Sequence, residues 1–320
     1  MSSPAPDVSI VVPVYNEEDN ILPLVGAIDS VMQRVKRTYE ILVIDDGSSD
    51  RTGDKLADAR KRLPQLTIVN LRRNFGQTAA LAAGFDAARG RHIITMDGDL
   101  QNDPEDIPTF LALLDEGYDL VCGWRRDRKD RFLSRRLPSR VANALLSDLT
   151  GVRVHDFGCT LKGYRAAFVK QLPIYSEMHR YIPALAGSVG ARVTEVVVRH
   201  HPRLHGKSKY GMTRVIRVLY DLAALRLLTR FAARPLHAFG VFSIPCFLIA
   251  VPWFLFTFFD HTTGALVHYS TVVFPTVLFL LTYLGFHFIV VGLLAELAVN
   301  VLRTKSEMVV RVHEAAGGAA

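Results

Sequence analysis

Short runs of β-branched and aliphatic residues recur through about the first 200 positions: Val8 to Val14, Glu40 to Ile44, Leu66 to Leu71 and His92 to Met96. Segments of helical length separate them, so the chain alternates β and α units, the rhythm of a mostly parallel sheet with helices on both faces. Helix starts are predicted at Asn16 ahead of Glu17 and Glu18, at Asp50 ahead of Arg51, and at Asp103 ahead of Pro104. Asn and Asp side chains accept from the unpaired N–H groups of a first turn, and proline fits that turn. A three-layer α/β domain is expected.

The pattern then changes. From Pro235 to Phe259 only His237, Ser243 and Thr257 interrupt an apolar run, and no charge appears before Asp260. At 1.5 Å per residue such a helix reaches about 37 Å, enough for a hydrocarbon core of roughly 30 Å. A second span is expected from about Thr271 to Leu302, with one acid, Glu296, near its end. Gly285, His287, Gly292 and Glu296 are candidates for helix packing. Arg226, Arg230 and Arg234 precede the first span and Arg303 and Lys305 follow the second, whereas Asp260 to Ser270 carries no Lys or Arg. Both outer flanks are therefore expected in the cytoplasm, and the α/β domain with them. Met1 to Asp7 lacks the basic start and apolar stretch of a secretory signal, in keeping with that placement. Between domain and spans, Val215, Ile216, Leu219, Leu222, Ala223 and Leu227 recur at helical spacing beside Arg214, Arg217, Arg226 and Arg230, which predicts a basic amphipathic helix on anionic headgroups. The expected organisation is the α/β domain at 1–212, the amphipathic helix at 213–234, two spans within 235–302 (about 235–259 and 271–302) and a cytoplasmic tail at 303–320.

A formal net charge of +7 and a pI near 9.4 point to an anionic partner: nucleic acid, membrane surface or phosphorylated substrate. The two spans and the acids at strand ends argue against nucleic acid. Cys122, Cys159 and Cys246 are too scattered for a disulfide framework or a CxxC metal site. His200, His201 and His205 cluster, but Arg203, Lys207 and Lys209 surround them and no acid or thiol accompanies them, which disfavours zinc. His179 and Arg180 form a further basic pair outside this cluster, candidates to reach an anionic substrate. The chain has no GxxxxGK[ST] and no GxGxxG, which disfavours an NTPase or a dinucleotide enzyme.

Ligands of open α/β sheets bind beyond the carboxyl ends of the strands. Three polar clusters lie there: Pro13 to Glu18, Asp45 to Ser49, and Asp97 to Gln101. Asp97-Gly98-Asp99 is chemically the most pointed, because two carboxylates across a small residue can hold Mg²⁺ or Mn²⁺ against a diphosphate, with Gln101 as a further oxygen donor.

Together VVPVYNEE (Val11 to Glu18), VIDDGSSD (Val43 to Asp50), RNFGQTAALAAGFDAARG (Arg73 to Gly90), MDGDLQNDPE (Met96 to Glu105) and HPRLHGKSKYG (His201 to Gly211) resemble the family-2 glycosyltransferases of the GT-A fold. The branch is that of dolichol-phosphate mannose synthase and the bacterial polyprenyl-phosphate glycosyltransferases, whose members also resemble this chain in the two-span tail. The resemblance covers about Val8 to Tyr210 and implies a GT-A, Rossmann-like domain. It puts Pro13, Tyr15 and Glu17 beside the nucleoside and Asp46 at its base or ribose. Asp97, Asp99 and Gln101 would surround the metal, and Arg203, Ser208 and Lys209 would approach the donor phosphates. Arg125, Arg135 and Ser139 would receive the acceptor phosphate. The implied reaction is an inverting single displacement from a nucleoside-diphosphate sugar to polyprenyl phosphate, with undecaprenyl phosphate preferred. By family analogy the donor is a UDP-hexose or UDP-hexuronic acid, though no short motif here separates these from GDP-mannose. A phosphate monoester is largely ionised near neutral pH, so positioning and charge neutralisation carry most of the rate. Asp99 and Asp156 are the candidates for assisting proton removal or orientation, Asp156 being equally suited to capping a turn. The family also implies a bacterial inner membrane and a homotetramer. Two rival readings are a processive polysaccharide synthase, whose QxxRW-like element and additional spans are missing, and an inactive membrane adaptor, against which the full set of donor-site acids argues.

Overall fold

A computed structural model describes residues 5–126, 152, 154–172, 174, 178–202, 235–263 and 270–317. The chain divides into two compact units, Met1–Asp221 and Leu222–Ala320.

In the first unit the alternation predicted from sequence is realised as β1 (Val8–Val14), α1 (Ile21–Val35), β2 (Tyr39–Asp45), α2 (Thr52–Arg62), β3 (Leu66–Asn70), α3 (Gln77–Ala87), β4 (His92–Thr95), α4 (Ile107–Asp115), β5 (Leu120–Trp124), β6 (Lys162–Arg165) and β7 (Val193–Val197). The strands form one sheet in the order β3-β2-β1-β4-β6-β5-β7. All neighbours run parallel except β6, which is antiparallel to both β4 and β5. The fold is thus the expected Rossmann-like three-layer domain, with a mixed but mostly parallel sheet.

Strand alternation decides the layers. Val8, Ile10, Val12 and Val14 of β1 point to one face and pack with Ile21, Leu24 and Ile28 of α1, Leu56 of α2 and Phe110 and Leu114 of α4. Val11 points to the other face, against α3 at Gly84. Residues such as Ile10, Ile28 and Ile41 are fully buried, and each such side chain contributes about 1.5–3 kcal/mol through lost contact with water.

Two of the predicted helix starts stand and one moves. Asp103 caps its turn by accepting from the Glu105 N–H at 3.0 Å, and Asp50 accepts from the Thr52 N–H at 3.0 Å at the start of α2. Asn16 does not begin α1, which starts at Ile21 after Asn20. Asn16 instead has φ 54° and its side-chain oxygen accepts from the Ser49 N–H at 2.8 Å. A short amide side chain tolerates this left-handed backbone, so the residue makes a turn where the sequence suggests a cap.

The second unit contains two long helices, Pro235–Thr263 and Ser270–Gly317. Pro235–Phe259 and Val272–Val299 are long and apolar enough to cross a membrane, and only 17% and 11% of their most apolar windows are buried. The link between them is shorter than expected, because Asp260 to Thr263 stays helical, and the second helix continues through the segment expected as a tail. Their packing uses small residues of the second helix: Gly285 lies under the Phe247 ring and Gly292 against Leu236 and Phe239. The Trp253 indole N–H donates to the Phe274 carbonyl at 3.0 Å. Glu296 accepts from the Leu236 N–H at 3.2 Å, a side-chain-to-backbone bond that ties the second helix to the first. Gly285, Gly292 and Glu296 therefore serve packing within the hairpin, while His287 stacks on Tyr283.

Candidate active site

Strand order reverses on either side of β1: β2 and β3 follow in one direction and β4 begins the other. That switch point opens a crevice at the carboxyl ends of β1 and β4. The register pairs Val14 with Asp45 and Val11 with Thr95, so the polar clusters after β1, β2 and β4 share one rim. Gly98 is required by this closeness, because a methyl there would lie 2.7 Å from Val14 Cγ1.

The turns after β1 and β2 fasten each other reciprocally. The Asn16 N–H donates to Ser48 Oγ at 2.9 Å, the Glu17 N–H to Thr52 Oγ1 at 2.9 Å, and the Arg51 N–H to Glu18 at 3.0 Å. Glu17 itself accepts from the Asn20 side chain at 2.6 Å, and Pro13 and Tyr15 are partly buried on the same edge. Asp46 is buried, with one oxygen accepting from the Phe75 N–H at 2.8 Å and the other from the Gly76 N–H at 2.9 Å. Its visible work is to hold the loop that leads into α3. Gly47, with φ 70°, lets that loop approach to a distance no side chain would allow: an added Cβ would meet the Arg73 backbone at 2.5 Å.

Asp97 is gripped from two sides. Gln77, at the start of α3, donates to its Oδ1 at 2.8 Å, and Thr160, just before β6, donates to its Oδ2 at 2.6 Å. Burial, then the neighbouring Asp99, push the Asp97 carboxyl up to about 6. Asp99 is buried and accepts from the Gln101 N–H at 3.1 Å, across Leu100 in a left-handed conformation with φ 60°. The Gln101 side-chain amide donates to the His201 carbonyl at 3.4 Å, and Asn102 bridges to His200. His201 Nε2 also lies 3.2 Å from Asp103 Oδ2.

Arg125 follows β5 directly and makes a two-pronged pair with Asp156, from Nε at 2.7 Å and from Nη2 at 3.1 Å. Burial opposes the guanidinium charge, but hydrogen bonding to Asp156 outweighs it, and the Arg125 pKa is raised. The two residues assigned separately from sequence, one to acceptor phosphate and one to catalysis, thus form a single unit. Asp156 also caps the turn that follows, accepting from the Gly158 N–H at 3.2 Å. The preceding residues repeat the pairing: the Trp124 and His155 rings stack at 4.3 Å. His179 is buried beneath α3, 2.6 Å from Thr78 Oγ1. Desolvation and then Arg180 lower its pKa to about 3, so it is a neutral ring.

Arg135, Ser139, Arg203, Ser208 and Lys209 lie outside the described residues, as do His205 and the amphipathic segment 213–234. Conversely, Gln77, Thr160 and Lys162 are site residues that sequence reasoning missed. Lys162 is buried on β6, donating to the carbonyls of Phe157 at 3.3 Å and Cys159. A lysine inside the short apolar run around Leu161 was the available signal. Burial pushes the Cys122 thiol up to about 12 and the Cys159 thiol up to about 11, so neither is a nucleophile at neutral pH.

The donor set at Asp97 and Asp99 fits a hard divalent cation: its ligands are oxygens, and the nearby Asp99 charge raises the cost of ionising Asp97, which a cation between them would offset. Among the described residues no three Asp, Glu, His or Cys side chains gather around one point. Two carboxylates plus water and phosphate oxygens are the coordination Mg²⁺ commonly accepts.

The sequence profile described as Glycosyl transferase family 2 matches residues 9–172, just over half the chain. The chain belongs to glycosyl transferase family 2. This transferase is 47% identical over 261 residues to a dodecaprenyl-phosphate galacturonate synthase of Rhizobium johnstonii, covering 79% of its own length and 76% of the relative. It is 37% identical to an undecaprenyl-phosphate 4-deoxy-4-formamido-L-arabinose transferase of Edwardsiella ictaluri, over 90% of its own length and 87% of the other. Among solved structures, the Mycobacterium tuberculosis glucosyl-3-phosphoglycerate synthase with Mn²⁺, uridine diphosphate and phosphoglyceric acid superposes with a TM-score of 0.54 at 19% identity, covering 70% of the transferase and 78% of that chain. That likeness bears on the fold, and it agrees with the GT-A architecture of the sheet.

Proposed function

We propose that this transferase moves a hexose or hexuronic acid from a nucleoside-diphosphate sugar, a UDP-sugar ahead of GDP-mannose, to polyprenyl phosphate, with undecaprenyl phosphate the preferred chain. The product is a polyprenyl-phosphate sugar. The observation that carries the reading is the Asp97 carboxylate at the carboxyl end of β4, with Asp99 beside it and the charge of Arg125, itself held by Asp156, favouring its ionised form. The names of the two relatives supply the substrate classes, and the two apolar helices suit a lipid acceptor.

In this mechanism an ionised oxygen of the lipid phosphate attacks the anomeric carbon of the donor sugar. The bond from that carbon to the diphosphate breaks, and its electron pair leaves with the nucleoside diphosphate, so the anomeric centre inverts. The attacking oxygen has already lost its proton, and no strong base is needed. Arg125, fixed by Asp156, offsets the charge of the incoming phosphate, a task suited to a pre-oriented guanidinium. Arg135 and Ser139 would assist it, and Arg203, Ser208 and Lys209 would meet the donor phosphates. Pro13, Tyr15, Glu17 and Asp46 form the edge on which the nucleoside rests. Asp97 and Asp99, with Gln101, would hold Mg²⁺ or Mn²⁺, which when bound neutralises charge on the diphosphate. The basic flanks of the two apolar helices support a catalytic domain and both termini on the cytoplasmic side of a bacterial inner membrane, and the family resemblance is what suggests a homotetramer.

Detergent-purified protein incubated with Mn²⁺, undecaprenyl phosphate and a panel of UDP- and GDP-sugars should yield a lipid-linked sugar phosphate by mass spectrometry. Product should vanish with Asp97→Ala and Asp99→Ala. Failure of every donor with folded, lipid-binding protein would remove the proposal.

A further inference from the structure

Each oxygen of the Asp97 carboxylate is held by a side chain from a different element. Thr160 Oγ1 donates to Asp97 Oδ2 at 2.6 Å and accepts from Asn102 Nδ2 at 3.2 Å. A hydroxyl has one proton, and the Asn102 Nδ2 group that faces it can only donate, so the proton of Thr160 is committed to Asp97. The polarity of the chain Asn102, Thr160, Asp97 is thereby fixed. The Thr160 carbonyl is pinned as well, accepting from Thr95 Oγ1 at 2.8 Å, so the hydroxyl is presented by a rigid strand neighbour. On the other side Gln77 Nε2 donates to Asp97 Oδ1 at 2.8 Å from the first turn of α3. Asn102 is itself buried and its backbone bridges to His200.

An ionised carboxylate has about four lone-pair directions, and these two bonds occupy one on each oxygen. The plane of the group is set before any ligand arrives, and the remaining lone pair of each oxygen faces a defined direction. Partners of this kind around metal-binding side chains typically tune affinity by about 10–100-fold.

From this we infer that Thr160 and Gln77 are positioning residues: they fix the Asp97 carboxylate in the orientation that receives the divalent cation and diphosphate of the donor. The inference rests on the reading of Asp97 as a donor-site carboxylate. It assigns a function to two residues outside the strand-end motifs, and it separates them chemically. Thr160 acts through a hydroxyl that serine can replace, whereas valine, of nearly the same shape, leaves both Asp97 Oδ2 and the Asn102 amide unpaired.

The test is binding as well as turnover. Mn²⁺ is titrated by electron paramagnetic resonance into parent, Thr160→Val, Thr160→Ser and Gln77→Leu proteins with UDP present, or GDP if the parent retains Mn²⁺ only with that nucleotide. Thermal unfolding without metal checks that each variant is folded. Thr160→Val and Gln77→Leu should weaken Mn²⁺ retention by about tenfold or more, with Thr160→Ser within about twofold of the parent. Unchanged Mn²⁺ retention in folded Thr160→Val overturns the inference, as does equal loss in the serine variant, or a parent that retains Mn²⁺ with neither nucleotide. If the parent makes no lipid-linked sugar yet Thr160→Val loses Mn²⁺, the acceptor reading falls and the positioning role stands. If the parent makes product and Thr160→Val binds Mn²⁺ normally, the reverse holds.

Discussion

Arg125 and Asp156 meet through two parallel hydrogen bonds, 2.7 Å and 3.1 Å long, with side-chain exposures of only 13% and 10%. The residues just before them, Trp124 and His155, stack face to face at 4.3 Å with their planes 15° apart. Two short segments distant in sequence are thus matched residue for residue, ring to ring and charge to charge, along the wall assigned to the acceptor.

A pair this far from water makes the loss of one partner costlier than the loss of both. Asp156→Ala should lower the unfolding free energy by about 3–5 kcal/mol, because it leaves a buried guanidinium uncompensated. The double variant Arg125→Met/Asp156→Leu should lose much less. Denaturant unfolding in detergent decides the point, and additive losses would show that the pair is not coupled. Arg125→Lys keeps the charge without the fork, so it should raise KM for the lipid phosphate while leaving that for the donor near the parent value.

Asp97 sets a pH dependence with a definite sign. Its folded-state pKa, about 6, lies above the ordinary carboxyl value of 3.8, so the folded chain holds the proton more tightly than the unfolded chain does. Without metal, its contribution to stability is fully present below pH 3.8 and is lost as pH rises through 6. Mn²⁺ retention should run the other way, growing up to about pH 6 and then levelling. Asp99→Asn removes one cause of the raised pKa, so the metal-free variant should be more stable than the parent at pH 7. A variant less stable than the parent there, measured by thermal unfolding, would count against the carboxylate repulsion.

His179 titrates in the opposite sense. Its pKa is lowered to about 3, mainly by burial, so the unfolded chain takes up the proton first as pH falls below 6.5. Stability should therefore decline between pH 6.5 and pH 3 by about 1.4 kcal/mol per pH unit from this ring alone. His179→Gln should flatten that slope in urea melts across the same range, while an unaltered slope would mean that other groups carry it.

Gly98 and Val14 make a steric pair that can be separated by mutation. Gly98→Ala places a methyl 2.7 Å from Val14 Cγ1, which should cost about 1–3 kcal/mol of stability through overpacking. Adding Val14→Ala should recover part of that loss and of the donor-dependent activity. Absence of recovery would locate the strain elsewhere in the turn.

The layers of the domain were legible because β-branched runs and helical spacing act locally: β1 to β4 lie within a residue or two of their predicted bounds. The antiparallel β6 was harder to see, since its Lys162 interrupts the apolar pattern and is paid for by carbonyls that only the folded chain gathers. The strand-end acids were visible as motifs. Their partners were not, because Gln77 and Thr160 are 20 and 63 residues from Asp97 and have ordinary surroundings in sequence. Asn16 misled for a physical reason: the property that makes asparagine a good helix cap, a side-chain acceptor near the backbone, equally suits the left-handed turn it adopts here. The pairing of Arg125 with Asp156 joined two assignments that the linear sequence kept apart.

The bond from the Leu236 N–H to Glu296 spans 60 residues. During synthesis the first apolar helix is therefore complete long before the residue that pairs its leading backbone donor has been made. Until then that amide lacks the carboxylate that pairs it in the finished hairpin, so a chain stopped after Thr263 should sit in the membrane less firmly than the complete pair of helices.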